Sequence, residues 1–221
     1  LKDEKEYGVC LIDIGAGTTN LAVYFEGHLA FTSTIQLGGE HVTRDIAAVL
    51  QTTTEEAERL KTRHGCIDHS AIKPDHMIQV QTTDGQQTIS RIELADIIVA
   101  RYDQIFDRIY ETLASQGALG GLYHGVVLTG DACQIEGAVN FARKKLGVSA
   151  HLGNPPLQVY ARDDQLPVLR RSLYATASGL LMFSQSELQQ TVTEPDAPAP
   201  TGWQRVVETC GNWMEKLKNL F

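Results

Sequence analysis

The 221-residue sequence predicts an α/β domain interrupted by an inserted α+β unit, then a disordered linker and a C-terminal amphipathic helix. Three observations predict this. Apolar runs starting at Val9, Thr19 and Leu29 are separated only by turn residues, so the chain opens with a three-stranded meander. Short apolar runs at Val126–Gly130 and Val148–His151 alternate with helical spacing, the pattern of a sheet covered by helices. From Gln185 to Pro200 the composition shifts to Gln, Ser, Thr and Pro, and beyond it a strict helical periodicity returns.

The first strand ends at Asp13-Ile14-Gly15-Ala16-Gly17-Thr18-Thr19, where a carboxylate meets a glycine turn and two hydroxyls before the second strand begins. Glycine admits positive φ and leaves room for a ligand. Successive N–H groups in such a turn form an anion nest, to which Thr18 and Thr19 add hydroxyl donors. Asp13 repels a phosphate directly, so its fitting role is to hold a hydrated Mg²⁺ against one. A plain hairpin would need only the glycines, whereas the Asp-x-Gly-x-Gly-Thr-Thr order points to phosphate. Glu26-Gly27-His28 turns the chain into the third strand, Leu29–Leu37. Gly38-Gly39-Glu40 stops that strand, and Val42, Ile46, Val49 and Leu50 follow at helical spacing. A helix starting there would aim free N–H groups at the same anion.

Thr52-Thr53-Thr54-Glu55-Glu56 reads as an N-cap, and the helix it starts, Thr54 to His64, stops at Gly65. Strands Met77–Thr82 and Gln87–Ile92 turn through Asp84-Gly85. The longest helix, Ile92 to about Leu113, buries Leu94, Ile97, Ile98, Tyr102, Ile105, Ile109 and Leu113. Helices at Ile135–Leu146 and Tyr174–Phe183 complete the domain, and Gln185–Gly202 is the linker.

A formal charge of −8 argues against nonspecific nucleic-acid binding. Four scattered cysteines without a C-x-x-C pair suit a reducing compartment. His64, Cys66 and His69 lack a recognised metal spacing and read as a helix end and loop. The charged opening at Leu1 leads straight into a core strand, which suggests a piece of a longer protein.

Trp203, Val206, Val207, Cys210, Trp213, Met214, Leu217, Leu220 and Phe221 fall on one helical arc of about 140° at 100° per residue. Such a helix on a flexible linker suits the membrane interface, with folding back on the domain or pairing with a partner as alternatives. Arg205, Lys216 and Lys218 against Glu208 and Glu215 give only modest attraction to anionic lipid.

These residues resemble the actin-like (ribonuclease H-like) ATPase superfamily and, within it, the bacterial cell-division family FtsA. Asp13 to Thr19 resembles the superfamily's second phosphate motif. Gly38-Gly39-Glu40-His41-Val42-Thr43-Arg44-Asp45-Ile46-Ala47 resembles the family's Gly-Gly-x-x-x-Thr-x-Asp-Ile-Ala segment. Glu58 and Lys61 match the nucleoside-contacting helix, Leu128-Thr129-Gly130 the adenosine motif, and Ala177-Ser178-Gly179-Leu180 the connecting helix. The terminal linker and amphipathic helix also have counterparts there. Two departures stand out. Asp131 occupies the second glycine of the adenosine motif, where its side chain either weakens ATP binding or turns outward. The family's N-terminal half, with its other phosphate loop, has no counterpart in this sequence.

The resemblance implies ATP with Mg²⁺ as cofactors, with Asp13, Gly15, Gly17, Thr18 and Thr19 at the phosphates. Gly38, Gly39, Glu58, Lys61, Thr129, Gly130 and Asp131 would lie around the nucleotide. It implies no catalytic residue in this chain, and weak or no ATPase activity. Residues 1–50 with 125–184 would form subdomain 2A, and 51–124 the inserted subdomain 2B. The latter would take the C-terminal peptide of the tubulin-like protein FtsZ, with Arg91, Arg101 and Arg108 as candidate contacts. The implied protein self-polymerises on the cytoplasmic side of the inner membrane at the division septum. There it joins other divisome proteins and anchors the FtsZ ring. An actin-fold sugar kinase and a pilus-assembly or cell-shape scaffold are the alternatives.

Overall fold

The computed structural model describes residues 2–155 and 171–193. Five strands form one sheet in the order β3-β2-β1-β6-β7. Strands β1 (Val9–Ile14), β2 (Thr19–Phe25) and β3 (His28–Ile35) are antiparallel neighbours, as the turns between them require. Strands β6 (Val126–Thr129) and β7 (Ala150–Leu152) join parallel to β1, with a crossover before each. In β1 the burial follows the pleat: Cys10, Ile12 and Ile14 face the core, while Leu11 and Asp13 face the other way. A second, two-stranded sheet pairs β4 (Met77–Thr82) with β5 (Gly85–Ser90).

The helices in this first part of the chain are α1 (Lys2–Tyr7), α2 (Gly39–Leu50), α3 (Thr54–His64) and α4 (Arg91–Ser115). After them come α5 (Ala138–Leu146) and α6 (Ala175–Thr193). The charged opening is therefore not a plain lead-in to a strand. It is α1, with Asp3 and Glu4 at its positive end, Lys5 stacked 4.5 Å over Tyr24, and its carbonyls receiving Glu26 and Gly27 N–H groups. Helix α6 also continues ten residues past Phe183, into the segment expected to be linker. Gln185 to Gln190 contains neither Gly nor Pro, and nothing breaks the helix before Pro195. Residues Leu1–Gly179 make one compact unit and Leu180–Phe221 a second. The amphipathic segment Trp203–Phe221 lies outside the described residues. Among those described, no helix is long and apolar enough to cross a membrane.

Helix α4 is the spine of the inserted region. Ser90 caps it through the Ile92 N–H, and Leu94, Ile98, Tyr102, Ile105, Phe106, Ile109 and Leu113 are buried in the same cluster as the strand residues of the large sheet. Phe106 meets Phe141 of α5 edge-on, with ring centroids 5.6 Å apart. Lys145 of α5 bridges Asp103 and Asp107 of α4. The Tyr102 hydroxyl donates to the Ala132 carbonyl at 2.6 Å, which holds the turn after β6 against the spine, and burial pushes this phenol far above its ordinary pKa. Tyr102→Phe would leave that carbonyl unpaired and is expected to lower stability by about 1–3 kcal/mol in urea unfolding; an unchanged midpoint would contradict it.

Candidate functional site

Four segments converge at the C-terminal end of β1. The Gly15–Thr18 turn closes with Gly15 N–H donating to the Thr18 carbonyl at 2.9 Å. Helix α2 docks on this turn: Gly39 N–H donates to the Gly15 carbonyl at 2.9 Å and Glu40 N–H to the Ala16 carbonyl at 2.8 Å. The first N–H groups of α2 are therefore not free for an anion, contrary to the expectation from sequence. They orient the turn instead. Among the described residues the N–H groups of Ala16, Gly17 and Thr18 have no hydrogen-bond partner, so the nest belongs to the hairpin alone.

The glycines act through space rather than through positive φ at Gly15 and Gly17. A Cβ on Gly38 would sit 2.5 Å from the Ala16 carbonyl oxygen, so only glycine lets α2 approach the turn this closely. A Cβ on Gly17 would meet nothing within 4 Å, which makes Gly17 the open side of the turn. Gly130, with φ +90°, passes behind the carboxylate, where a Cβ would lie 2.5 Å from Asp13 Oδ1. Asp13 Oδ2 accepts from the Thr176 hydroxyl at 2.9 Å. This carboxylate is held by a neutral donor, has no ion pair among the described residues, and suits a hydrated divalent cation.

On the flank, the position a Gly39 Cβ would take is 3.3 Å from Ala132 Cβ, 3.5 Å from Lys61 Nζ and 3.7 Å from the Gly15 carbonyl. Lys61 Nζ donates to Glu58 Oε2 at 2.6 Å, Thr43 Oγ1 at 2.8 Å and the Gly39 carbonyl at 3.2 Å. The Thr43 hydroxyl donates to Glu58 Oε2 at 2.5 Å. Burial works to raise the Glu58 carboxyl, but the hydrogen bonds from Lys61 and Thr43 outweigh it and hold the group below its ordinary value.

Not every residue singled out from sequence faces this site. Thr19 is fully buried and donates to the Leu37 carbonyl at 2.8 Å, and Thr129 is buried and donates to the Ser172 carbonyl at 2.8 Å. A buried hydroxyl must find a partner, and both found main chain rather than ligand. Asp131 turns outward: it is exposed and accepts from Gln134 Nε2 at 3.2 Å, while Gly130 beside it is buried and donates its N–H to the Ser172 carbonyl at 3.4 Å. The sequence assigns no site role to Thr176, nor to Thr43 beyond its place as the threonine of the Gly-Gly-x-x-x-Thr segment. A signal for Thr43 existed, since it is a hydroxyl beside Val42 on the otherwise apolar buried stripe of α2. Thr176 is 163 positions from its partner, and no local pattern marks it.

The three arginines divide. Arg91 donates to the His64 carbonyl at 2.9 Å and to Glu136 at 2.6 Å, so it is an internal brace joining α3, α4 and the segment before α5. Arg101 makes a two-pronged pair with Asp45, at 2.6 and 2.7 Å. Arg108 is well exposed beside Glu111. Arg101 and Arg108 line a groove of about 670 Å³ between α2 and α4, together with Val49, Ile97 and Ala100 and the carboxylates of Asp45, Asp103, Asp107 and Glu111.

A sheet of this topology with a nest and carboxylate at its end is the actin-like fold. MreB 5 of Spiroplasma citri, solved with AMPPNP, superposes with a TM-score of 0.67 at 18% identity, over 86% of this chain and 57% of that one. A type IV pilus PilM–PilN complex matches with a TM-score of 0.56 at 15% identity, over 80% and 46%. Residues 10–179 match the family model "Cell division protein FtsA", and the chain belongs to that family. Its relatives include FtsA of Pseudomonas aeruginosa, 34% identical over 97% of this chain and 52% of the relative. FtsA of Bacillus subtilis is 38% identical over 83% and 40%. The chain thus spans about half the length of the curated relatives it matches.

The open side of the turn separates ligand binding from folding. Gly17→Ala, whose Cβ meets no protein atom, should leave the melting temperature unchanged and weaken ATP binding in calorimetry, whereas Gly38→Ala should lower both. Full ATP affinity in Gly17→Ala would remove the turn from the site.

Proposed function

We propose that this protein is an ATP-binding, self-polymerising member of the FtsA family that attaches the FtsZ ring to the cytoplasmic face of the membrane. The observation that carries the nucleotide reading is the row of three N–H groups at Ala16–Thr18, unpartnered among the described residues, beside Asp13. Those N–H groups suit a polyphosphate, and Asp13 suits the Mg²⁺ that accompanies it, through water. When bound, the nucleotide would supply the charge that these groups are arranged to meet. Glu58, Gly39 and the Gly130 backbone would flank its nucleoside. The residues of this chain bind and orient; none is assigned a catalytic role. Nucleotide occupancy would thereby govern assembly rather than metabolic turnover.

The groove between α2 and α4 is the proposed seat of the FtsZ tail, with residues 51–124 acting as subdomain 2B. Arg101 is already engaged by Asp45, so Arg108, whose pairing with Glu111 is solvent-exposed, is the better partner for a peptide carboxylate. Arg91, as a brace, is not a contact. Trp203–Phe221 is the proposed membrane helix. With weak charge attraction its single-copy binding is reversible, and polymerisation strengthens it through avidity.

Two measurements test these surfaces. Arg108→Glu should weaken FtsZ tail-peptide binding several-fold without changing the melting temperature, and unchanged affinity would exclude the groove. Removal of residues 203–221 from the full-length protein should abolish co-sedimentation with vesicles. Undiminished co-sedimentation would sink the anchor.

A further inference from the structure

We infer that Thr43 is a positioning residue for nucleoside recognition, fixing the Glu58 carboxylate so that one oxygen faces the ligand as a hydrogen-bond acceptor for the ribose hydroxyls. This inference rests on the nucleotide reading above.

Donors and acceptors in the Lys61–Thr43–Glu58 cluster can be matched one by one. Lys61 is mostly buried, its side chain 15% exposed, and its ammonium group has three hydrogens. Three acceptors take them: Glu58 Oε2, Thr43 Oγ1 and the Gly39 carbonyl. No donor is left over, so Lys61 holds the site together and is not a ligand contact in this arrangement. Thr43, 3% exposed, has one hydroxyl hydrogen, and Glu58 Oε2 at 2.5 Å is a much closer acceptor than the Gly39 carbonyl at 3.2 Å. Thr43 therefore accepts from the lysine and donates to the carboxylate. Both bonds to Glu58 fall on Oε2. Among the described residues Oε1 has no partner, and the Glu58 side chain is 45% exposed.

A carboxylate anchored through one oxygen presents the other in a fixed direction and only accepts hydrogen bonds. The matching ligand chemistry is a pair of hydroxyl donors, which a ribose carries on adjacent carbons and a 2′-deoxyribose does not. Placement agrees with this. Lys61 Nζ lies 3.5 Å from the position of a Gly39 Cβ, which is itself 3.7 Å from the carbonyl of Gly15 at the phosphate turn. Without the Thr43 hydroxyl, Glu58 would keep its lysine bond but be free to rotate about it.

The test uses the full-length protein with Mg²⁺ and either ATP or 2′-deoxyATP, titrated calorimetrically. Thr43→Val, close to threonine in shape, should lose about tenfold in ATP affinity, the scale of one hydrogen bond to a charged group, and most of its preference for ATP over 2′-deoxyATP. Thr43→Ser should restore both. In a Glu58→Gln background, Thr43→Val should remove no further preference. Thr43→Ala carries the same expectations if Thr43→Val does not fold. A Thr43→Val protein that keeps the ATP preference overturns the inference, as does a Thr43→Ser protein equally impaired. Absence of ATP binding by the unsubstituted protein overturns the nucleotide reading and this inference with it.

Discussion

The docking of helix α2 on the β1–β2 turn is the constraint from which the rest of the site follows. Two main-chain hydrogen bonds, from Gly39 and Glu40 to the carbonyls of Gly15 and Ala16, face the turn's oxygens toward the helix. Its N–H groups are thereby left on the opposite side. The helix dipole still favours an anion nearby, but its terminal donors are engaged in protein contacts. Among the described residues, the donors left free here are those of the turn itself. Gly38 is required because the approach that makes those bonds leaves no space for a side chain.

A second layer holds this arrangement. Lys61, Thr43 and Glu58 fasten α3 to α2, and the Tyr102 hydroxyl fastens α4 to the turn after β6. Arg91 then ties α3 and α4 to Glu136. Helices α3 and α4 thereby brace the elements around the β1–β2 turn, and one hydrophobic cluster runs beneath both them and the large sheet. Helix α4 also forms one side of the groove proposed for the FtsZ tail.

Much of the architecture was legible because it is local. Helix α3, strand β4 and strand β6 fall on the residues that spacing and capping indicated. The glycine-rich turn stood out as a site because its residue types have few other uses in that order. Helix α1 and the extension of α6 were missed for opposite reasons. In α1 a short charged helix has no apolar stripe to reveal it, and in α6 a polar composition reads as disorder although nothing in it breaks a helix. The assignments of Thr19, Thr129 and Arg91 changed because a side chain's partner is set by what lies across space, and each met a carbonyl or carboxylate from a distant segment.

The sequence by itself determined the alternation of strands and helices, the phosphate-type turn, the family to which the chain is related and the amphipathic pattern of Trp203–Phe221. Periodicity, turn chemistry and motif order are properties of neighbouring residues. Only the tertiary structure decided which donors remain free for a ligand. That choice depends on the balance of hydrogen bonds among segments far apart in the chain. Among the described residues, Ala16 to Thr18 keep their N–H groups unpartnered while α2 takes the turn's carbonyls, and Glu58 keeps one oxygen free because Thr43 and Lys61 share the other.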